Sequence, residues 1–166
     1  MFQLNLRIYK EIIMFNYKII DKKKIDEKKL LLSIKKLLPK YLNCLPDNAA
    51  LSILEVVKKT KKNNLMLETG VGISTIALFI GSIISKKKFY SFDFNQEKIS
   101  TVKQIINETI CEPLKINLLD YWIPIQANST CPYSGIKSLT ELKKKFDFGF
   151  FDSNHTLDHL ENEISL

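Results

Sequence analysis

The sequence contains few residues of four types: arginine, glycine, proline and cysteine. Among its 166 residues, Arg7 is the one arginine, beside 5 glycines, 5 prolines and 3 cysteines. So few glycines and prolines exclude a collagen-like chain or a chain made mostly of linkers. The cysteines form no Cys-x-x-Cys pair, and their odd number argues against a disulfide framework or a zinc site. Reduced thiols of this kind predict a cytoplasmic protein.

Long apolar runs are absent as well. No run approaches the roughly 18 residues that a membrane-spanning helix needs, and charged residues interrupt the first 20 positions, where a signal peptide would need an apolar core. Hydrophobic residues make up 45% and charged residues 26% of the chain, as in ordinary globular domains. We therefore expect one folded domain that does not associate with membranes.

The charge of the chain is positive, at +7, from 25 basic and 18 acidic residues. Nucleic acid is one partner class that such a charge attracts. Recognition of phosphates and bases favours arginine, however, because of its planar, bidentate guanidinium group. Almost all the basic residues here are lysines in runs between apolar segments, so we interpret them as solvated surface and do not favour nucleic acid as a partner.

The first part of the chain is predicted to be helical. Leucine and isoleucine recur at helical spacing over residues 26–38, and Pro39 ends that pattern. A second helix is predicted after Asp47 or Asn48, either of which suits an N-cap. We therefore predict an N-terminal helical segment over residues 1–60.

The pattern changes at Leu65, where short apolar strands begin to alternate with helices. Strands are predicted over 65–67, 89–93, 122–127 and 146–151, and helices lie between and after them. This alternation is typical of βαβ units with a parallel sheet. We expect an α/β domain over residues 61–166, with a Rossmann-like, doubly wound parallel sheet.

Polar residues follow the first two predicted strands, at the edge where such sheets bind ligands. Gly70 suits a tight turn with positive φ, and Gly72 lets the backbone approach a ligand closely. Ser74 and Thr75 place hydroxyl groups at a helix N-terminus, where phosphates and carboxylates bind. Asp93 ends the second strand, and a carboxylate there can accept two hydrogen bonds from a ribose diol.

Two residues of this loop disfavour a dinucleotide. Glu68 would repel a pyrophosphate, whereas it suits a ligand that carries a cationic amine or sulfonium group. The dinucleotide fingerprint also needs a third glycine, and Thr75 stands in its place. A dehydrogenase is therefore disfavoured.

The segment Leu67–Thr75 resembles motif I of class I S-adenosylmethionine-dependent methyltransferases, an acid followed by Gly-x-Gly after the first strand. Phe92–Asp93 resembles the acid at the end of their second strand. Phe146–His155 is similar to the fourth-strand signature of a subset that includes small-molecule and sugar O-methyltransferases. The resemblance covers roughly residues 40–166.

The resemblance implies which residues bind S-adenosylmethionine. Glu68 would lie near the amine of the cofactor, Asp93 would bind the ribose, and Asn128 with Ser129 would lie near the adenine. The complete set implied for the cofactor is Glu68, Gly70, Gly72, Ser74, Thr75, Asp93, Asn128 and Ser129.

The resemblance also implies catalytic residues. His155 would act as general base on an acceptor hydroxyl, and Asp152 would contact the substrate or bind a divalent metal. We interpret His159, one helical turn further on, as a surface or packing residue. The expected reaction is methyl transfer from S-adenosylmethionine to an oxygen of a small molecule. A non-catalytic cofactor-binding remnant and an RNA methyltransferase are the alternatives.

The resemblance stops before the last three strands of the family. The usual sheet has seven strands in the order 3-2-1-4-5-7-6, and we find four candidates here. We therefore expect a truncated or incomplete domain whose fourth strand is an open, apolar edge. Because an open edge invites pairing with another chain, it predicts homo-oligomers that form through this edge.

Overall fold

A computed structural model describes residues 26–60, 65–141, 146–153 and 156–166. Its first elements are the helices α1 (Glu27–Lys35) and α2 (Asp47–Lys59), with a 3-10 turn at Lys40–Leu42 between them. The Asp26 carboxylate caps α1 by accepting a hydrogen bond from the backbone N–H of Lys29. Both helices confirm the helical character expected for residues 26–60, whereas residues 1–25 of the predicted segment lie outside the described part of the chain.

The start of α2 differs from the prediction by one residue or more. Pro46 occupies the N-cap, with φ −65° and ψ 160°, so Asp47 is the first residue inside the helix. The prediction that Asp47 or Asn48 forms the N-cap was wrong, because extended backbone at Pro46 already sets the entry of the chain into the helix.

Strands and helices alternate in the remainder of the described chain. The helix Gln96–Ile106 continues through a π-helical segment, Asn107–Cys111, to Leu114. The elements in order are β1 (Leu65–Thr69), α3 (Ile73–Ser85), β2 (Lys88–Asp93), α4 (Gln96–Ile106), β3 (Trp122–Gln126), α5 (Ile136–Glu141), β4 (Phe146–Phe151) and α6 (Leu157–Ser165).

The four strands form one parallel sheet in the order β3-β2-β1-β4. This confirms the predicted α/β, Rossmann-like architecture. Reversal of the strand order after β3 places α5 on the opposite face of the sheet from α3 and α4. Because the strands are parallel, all four end at the same edge, and the loops that follow them meet there.

The core lies on both faces of the sheet. On one face, α3 is buried along most of its length and packs against α2. Gly81 makes the close approach of these helices possible, because a Cβ atom there would lie 2.6 Å from a methyl carbon of Val57. A smaller cluster covers the other face and consists of Leu67, Tyr90, Phe92, Ile136 and Leu139.

The N-terminal helices share the core of the sheet. Leu31 of α1 and Leu54 of α2 are fully buried in the same cluster as Met66 of β1 and Phe89 of β2. The division of the chain at residue 60 stays a prediction. No helix in the described part of the chain is long and apolar enough to cross a membrane.

One side of β4 pairs with β1, and β4 ends the strand order of the described sheet. Among the described residues, β4 therefore lies at an edge of the sheet, as predicted. Homo-oligomer formation through this edge stays a prediction.

We expect Leu54→Ala to lower the free energy of unfolding of the whole domain by about 2–5 kcal/mol, the usual cost of a cavity in a core. Val56→Ala in the same helix is the control, because Val56 is exposed and should change stability by less than about 0.5 kcal/mol. Urea unfolding followed by tryptophan fluorescence of Trp122, a buried β3 residue, measures both. An unchanged transition in L54A would show that α2 contributes nothing to the core of the sheet.

Candidate functional site

A cleft runs along the carboxyl edge of the sheet and consists of two adjoining cavities. The first encloses about 110 Å³ and is bordered by the ends of β2, β3 and β4 and by α6. The second encloses about 80 Å³ and lies between the loop 70–74 and the residues Tyr41, Cys44 and Leu45. Gly70, Lys98 and Ser153 border both cavities, so we treat them as one carboxyl-edge cleft.

Gly70 and Gly72 bring the loop after β1 against other parts of the chain. Gly70 has φ +84°, and a Cβ atom there would lie 2.2 Å from the carbonyl oxygen of Asp152. A Cβ atom at Gly72 would lie 3.1 Å from the carbonyl oxygen of Leu42. Chain packing therefore accounts for both glycines, and the close approach of a ligand to them stays a prediction.

Glu68 is the centre of a buried hydrogen-bond network. Its carboxylate accepts hydrogen bonds from the hydroxyls of Ser74 (2.6 Å) and Thr75 (2.8 Å) in the first turn of α3, and from the Ser91 hydroxyl on β2. The indole N–H of Trp122 on β3 donates in turn to the Ser91 oxygen at 2.9 Å. The network thus connects three strands and one helix start.

The Glu68 side chain is shielded from solvent. The residue is fully buried, and burial raises the pKa of Glu68 to about 7, against the opposing effect of hydrogen bonds from the three hydroxyls. Glu68 and Thr75 border neither cavity of the cleft, whereas Ser74 borders the second. The predicted contact between Glu68 and a cofactor amine stays a prediction, and the structure gives this side chain a structural role.

Asp93 lies at the end of β2 and borders the first cavity. One carboxylate oxygen accepts a hydrogen bond from the backbone N–H of Val71 at 2.8 Å, and the other accepts one from Asn95, also at 2.8 Å. Lys98 Nζ lies 4.0 Å from the first of these oxygens. Because each carboxylate oxygen can accept more than one hydrogen bond, Asp93 retains capacity for a ligand in the cleft.

Phe94 borders the same cavity and was missed by the sequence analysis. It follows Asp93 directly, and 74% of its surface is exposed. An aromatic side chain in this position offers a face on which a base can stack. The only signal in the sequence is an aromatic residue immediately after the acid at the end of a strand.

Asn128 and Ser129 follow β3 and also border the first cavity. Their expected place beside an adenine stays a prediction. The side-chain oxygen of Asn128 accepts hydrogen bonds from the backbone and the hydroxyl of Thr130, so it closes a turn of its own loop. Ser129 is buried, and its hydroxyl donates to a carboxylate oxygen of Glu163 on α6.

Of the two predicted catalytic residues, Asp152 and His155, the structure describes only Asp152. Asp152 borders the second cavity, and its backbone N–H donates to the carbonyl of Thr69 at 2.9 Å. His155 lies outside the described residues. Among the residues that the structure describes, no three His, Cys, Asp or Glu side chains converge as a metal site would require. The metal at Asp152 stays a prediction.

α6 brings His159 and Glu163 to the cleft, and neither was predicted there. We expected His159 on the surface or in packing, but its ring borders the first cavity. Glu163 is buried one turn later on the same helix face. The spacing of four residues between them was visible in the sequence, but it does not tell which surface α6 contacts.

The side chains around the first cavity offer three kinds of group to a ligand. Asp93 offers a carboxylate to a diol, Phe94 an aromatic face to a base, and Asn128 polar groups to a base edge. Ligand pockets commonly enclose roughly 300–1,000 Å³. Because the enclosed volume here is smaller, a bound nucleoside would project from the cleft unless the loops moved apart.

Comparison with known proteins does not assign the chain to a family. No family model matches the sequence, and no curated protein is significantly similar to it. The fold and the site thus define an α/β domain with a Rossmann-like parallel sheet and a polar cleft at its carboxyl edge.

The raised pKa of Glu68 makes stability depend on pH. The folded state binds the Glu68 proton more tightly than the unfolded state does. Protonated Glu68 therefore contributes fully to the free energy of unfolding below pH 4.5, and this contribution is lost as the pH rises to about 7. We expect Glu68→Gln to remove a fall in unfolding free energy on the order of 3 kcal/mol across that range. Urea unfolding at successive pH values measures it.

Glu97→Gln is the matched control for this experiment, because Glu97 is an exposed glutamate on α4. The other carboxylates contribute equally to the pH profiles of both variants, so the difference between the profiles isolates Glu68. Identical profiles for E68Q and E97Q would contradict the raised pKa.

Proposed function

We propose that the carboxyl-edge cleft binds S-adenosylmethionine and that the protein transfers the methyl group of this cofactor to an oxygen of a small molecule. The proposal combines the resemblance of Leu67–Thr75, Phe92–Asp93 and Phe146–His155 to class I methyltransferases with the chemistry of the cleft. The observation that carries it is the Asp93 carboxylate, which borders a cavity at the end of β2.

Asp93 would bind the ribose. Both of its oxygens are already fixed by backbone N–H groups of the loops after β1 and β2, so the carboxylate is oriented before a ligand arrives. Such preorganisation reduces the entropy lost on binding. A diol that donates to both oxygens would complete the hydrogen bonding of the carboxylate without moving either loop.

Phe94 and Asn128 would hold the adenine. Aromatic faces stack on bases, and the amide nitrogen of Asn128, whose oxygen already accepts from Thr130, can donate to the edge of a base. Both residues border the same cavity as Asp93. The proposed ligand therefore lies across the ends of β2 and β3, with its ribose at Asp93.

The remaining part of the cofactor would lie toward the second cavity. S-adenosylmethionine supplies a methyl group on a cationic sulfonium. Ser74 and Asp152 border this cavity, and Lys98 borders both. These residues would position the reacting groups, and positioning is the main contribution that a protein makes to a transfer of this kind.

A non-catalytic cofactor-binding protein is the second candidate. The small enclosed volume of the cleft favours it, because neither of its two cavities would enclose a cofactor together with an acceptor. Binding of S-adenosylmethionine without methyl transfer to any hydroxyl acceptor would identify it.

We expect S-adenosylhomocysteine to bind the wild-type chain saturably and Asp93→Ala to weaken binding by at least about a hundredfold. The estimate follows from the loss of two hydrogen bonds to a charged acceptor, each worth about 1.5–3 kcal/mol. Isothermal titration calorimetry measures it.

Asp120→Ala is the control, because Asp120 is exposed and precedes β3 at the opposite edge of the sheet. Asp93→Asn serves as a second variant if D93A does not fold, and it should also bind more weakly than D120A. A folded wild-type chain that binds no S-adenosylhomocysteine would refute the proposal, and so would unchanged affinity in D93A.

Phe94→Ala should weaken binding of S-adenosylhomocysteine roughly tenfold, since stacking of a base on an aromatic side chain is worth about 1–3 kcal/mol. Tyr133→Ala is the aromatic control, because Tyr133 is 93% exposed and borders neither cavity. The same titration measures both variants. Equal affinity in F94A and Y133A would remove Phe94 from the site.

A further inference from the structure

Three hydroxyl groups at the carboxyl edge of the sheet converge on the carboxylate of Glu163. Ser153, after β4, donates to Oε1 at 2.6 Å, and Thr69, at the end of β1, donates to Oε2 at 3.2 Å. Ser129, after β3, also donates to Oε1. The Glu163 side chain is only 2% exposed, so a buried carboxylate is fixed behind Ser129 and Ser153, which border the first cavity.

The imidazole of His159 lies against this carboxylate. Its Nε2 atom is 3.2 Å from Oε1 of Glu163 and 3.4 Å from Oγ of Ser129. The His159 side chain is 18% exposed and borders the first cavity of the cleft. One nitrogen of the ring is thus held by the buried Glu163 carboxylate in a residue that borders the cleft.

The hydrogen bonds of the cluster determine which ring nitrogen carries a proton. Ser129 has one hydroxyl hydrogen, and that hydrogen points to Glu163. The carboxylate has none to give, so Nε2 of His159 must be the donor to Glu163. In the neutral ring, Nδ1 then keeps a lone pair and can accept a proton.

The same arrangement excludes Ser129 as the nucleophile of a hydrolase. In a Ser-His-acid triad, the serine gives its hydrogen to the imidazole and the acid holds the opposite ring nitrogen. Here the serine donates to the acid, and the acid contacts the same nitrogen that faces the serine.

We propose that His159, oriented through Nε2 by Glu163, is the proton acceptor of the carboxyl-edge cleft and serves methyl acceptors that carry a hydroxyl group. This inference rests on the proposed function for its chemistry, but it names a residue that the resemblance did not indicate. The acceptor hydroxyl gives its proton to Nδ1 while its oxygen forms the new bond to the methyl carbon. The sulfur keeps the electron pair of the broken S–C bond, so atoms and charges balance.

Glu163 acts through His159 and is a positioning residue. A carboxylate hydrogen-bonded to one nitrogen fixes the ring orientation and the tautomer, and it stabilises the imidazolium that forms when the other nitrogen takes a proton. The three hydroxyls keep the carboxylate itself in place.

The first test is the protonation state of the ring, observed by ¹H–¹⁵N NMR. The chain has two histidines, so His155→Gln leaves the signals of His159 alone. We expect a slowly exchanging N–H on Nε2 that Glu163→Gln abolishes or shifts strongly. Glu161→Gln, at an exposed position of the same helix, should leave it unchanged. A neutral ring with its proton on Nδ1 would overturn the inference. The H155Q chain alone shows this, so the test does not depend on whether E163Q folds.

The second test is the accessibility of Nδ1. Diethylpyrocarbonate reacts with unprotonated imidazole nitrogens, and mass spectrometry of the H155Q chain locates the product. We expect His159 to react, and S-adenosylhomocysteine at ten times its Kd to slow the reaction about tenfold. An unreactive His159 would overturn the inference. If calorimetry shows no binding of S-adenosylhomocysteine, the proposed function is refuted instead. The NMR result and the reaction of His159 with diethylpyrocarbonate without ligand then still test whether Nε2 carries the proton and Nδ1 is accessible.

Discussion

The buried carboxylate of Glu68 is the interaction on which the organisation of the sheet edge depends. It lies at the carboxyl end of β1 and accepts hydrogen bonds from the start of α3 and from Ser91 on β2, which in turn accepts one from Trp122 on β3. A buried carboxylate is costly unless its oxygens are hydrogen-bonded. Any displacement of a strand or of α3 would leave a charge or a hydroxyl unpaired, so the network fixes the relative positions of the three strands and the start of α3.

The cleft follows from this fixed edge. With β1 and α3 in place, the loop between them lies where the Val71 N–H reaches Asp93, and the same carboxylate holds the Asn95 N–H at the start of the next helix. α6 is attached to the edge by a second buried carboxylate, Glu163, through hydroxyls after three different strands. Two buried acids thus organise the site: Glu68 holds the start of α3, and Glu163 holds α6 against the sheet edge.

The sequence predicted the strands, their parallel order and the polar residues at their ends. These features are local, because strands, glycine turns and terminal acids are read from neighbouring residues, and right-handed crossovers restrict the topology. Asp93, Asn128 and Ser129 border the cleft because they directly follow strands of that sheet.

The parts that could not be predicted depend on tertiary placement. The sequence showed a helix with His159 and Glu163 one turn apart, but nothing in it tells that this helix face contacts the sheet edge. Glu68 was expected near a ligand because its position in the motif suggested it, whereas the structure buries it under α3. Phe94 was overlooked because an exposed aromatic residue and a buried one look alike in a sequence.

We propose that the carboxyl-edge cleft binds adenosine. Amide hydrogen exchange with and without S-adenosylhomocysteine measures this on every loop at once. We expect the ligand to slow exchange in the loops after β1, β2 and β3, around Gly70, Asp93 and Asn128, and to leave α2 unaffected. Slower exchange confined to other parts of the chain, or no change in a folded protein, would contradict it.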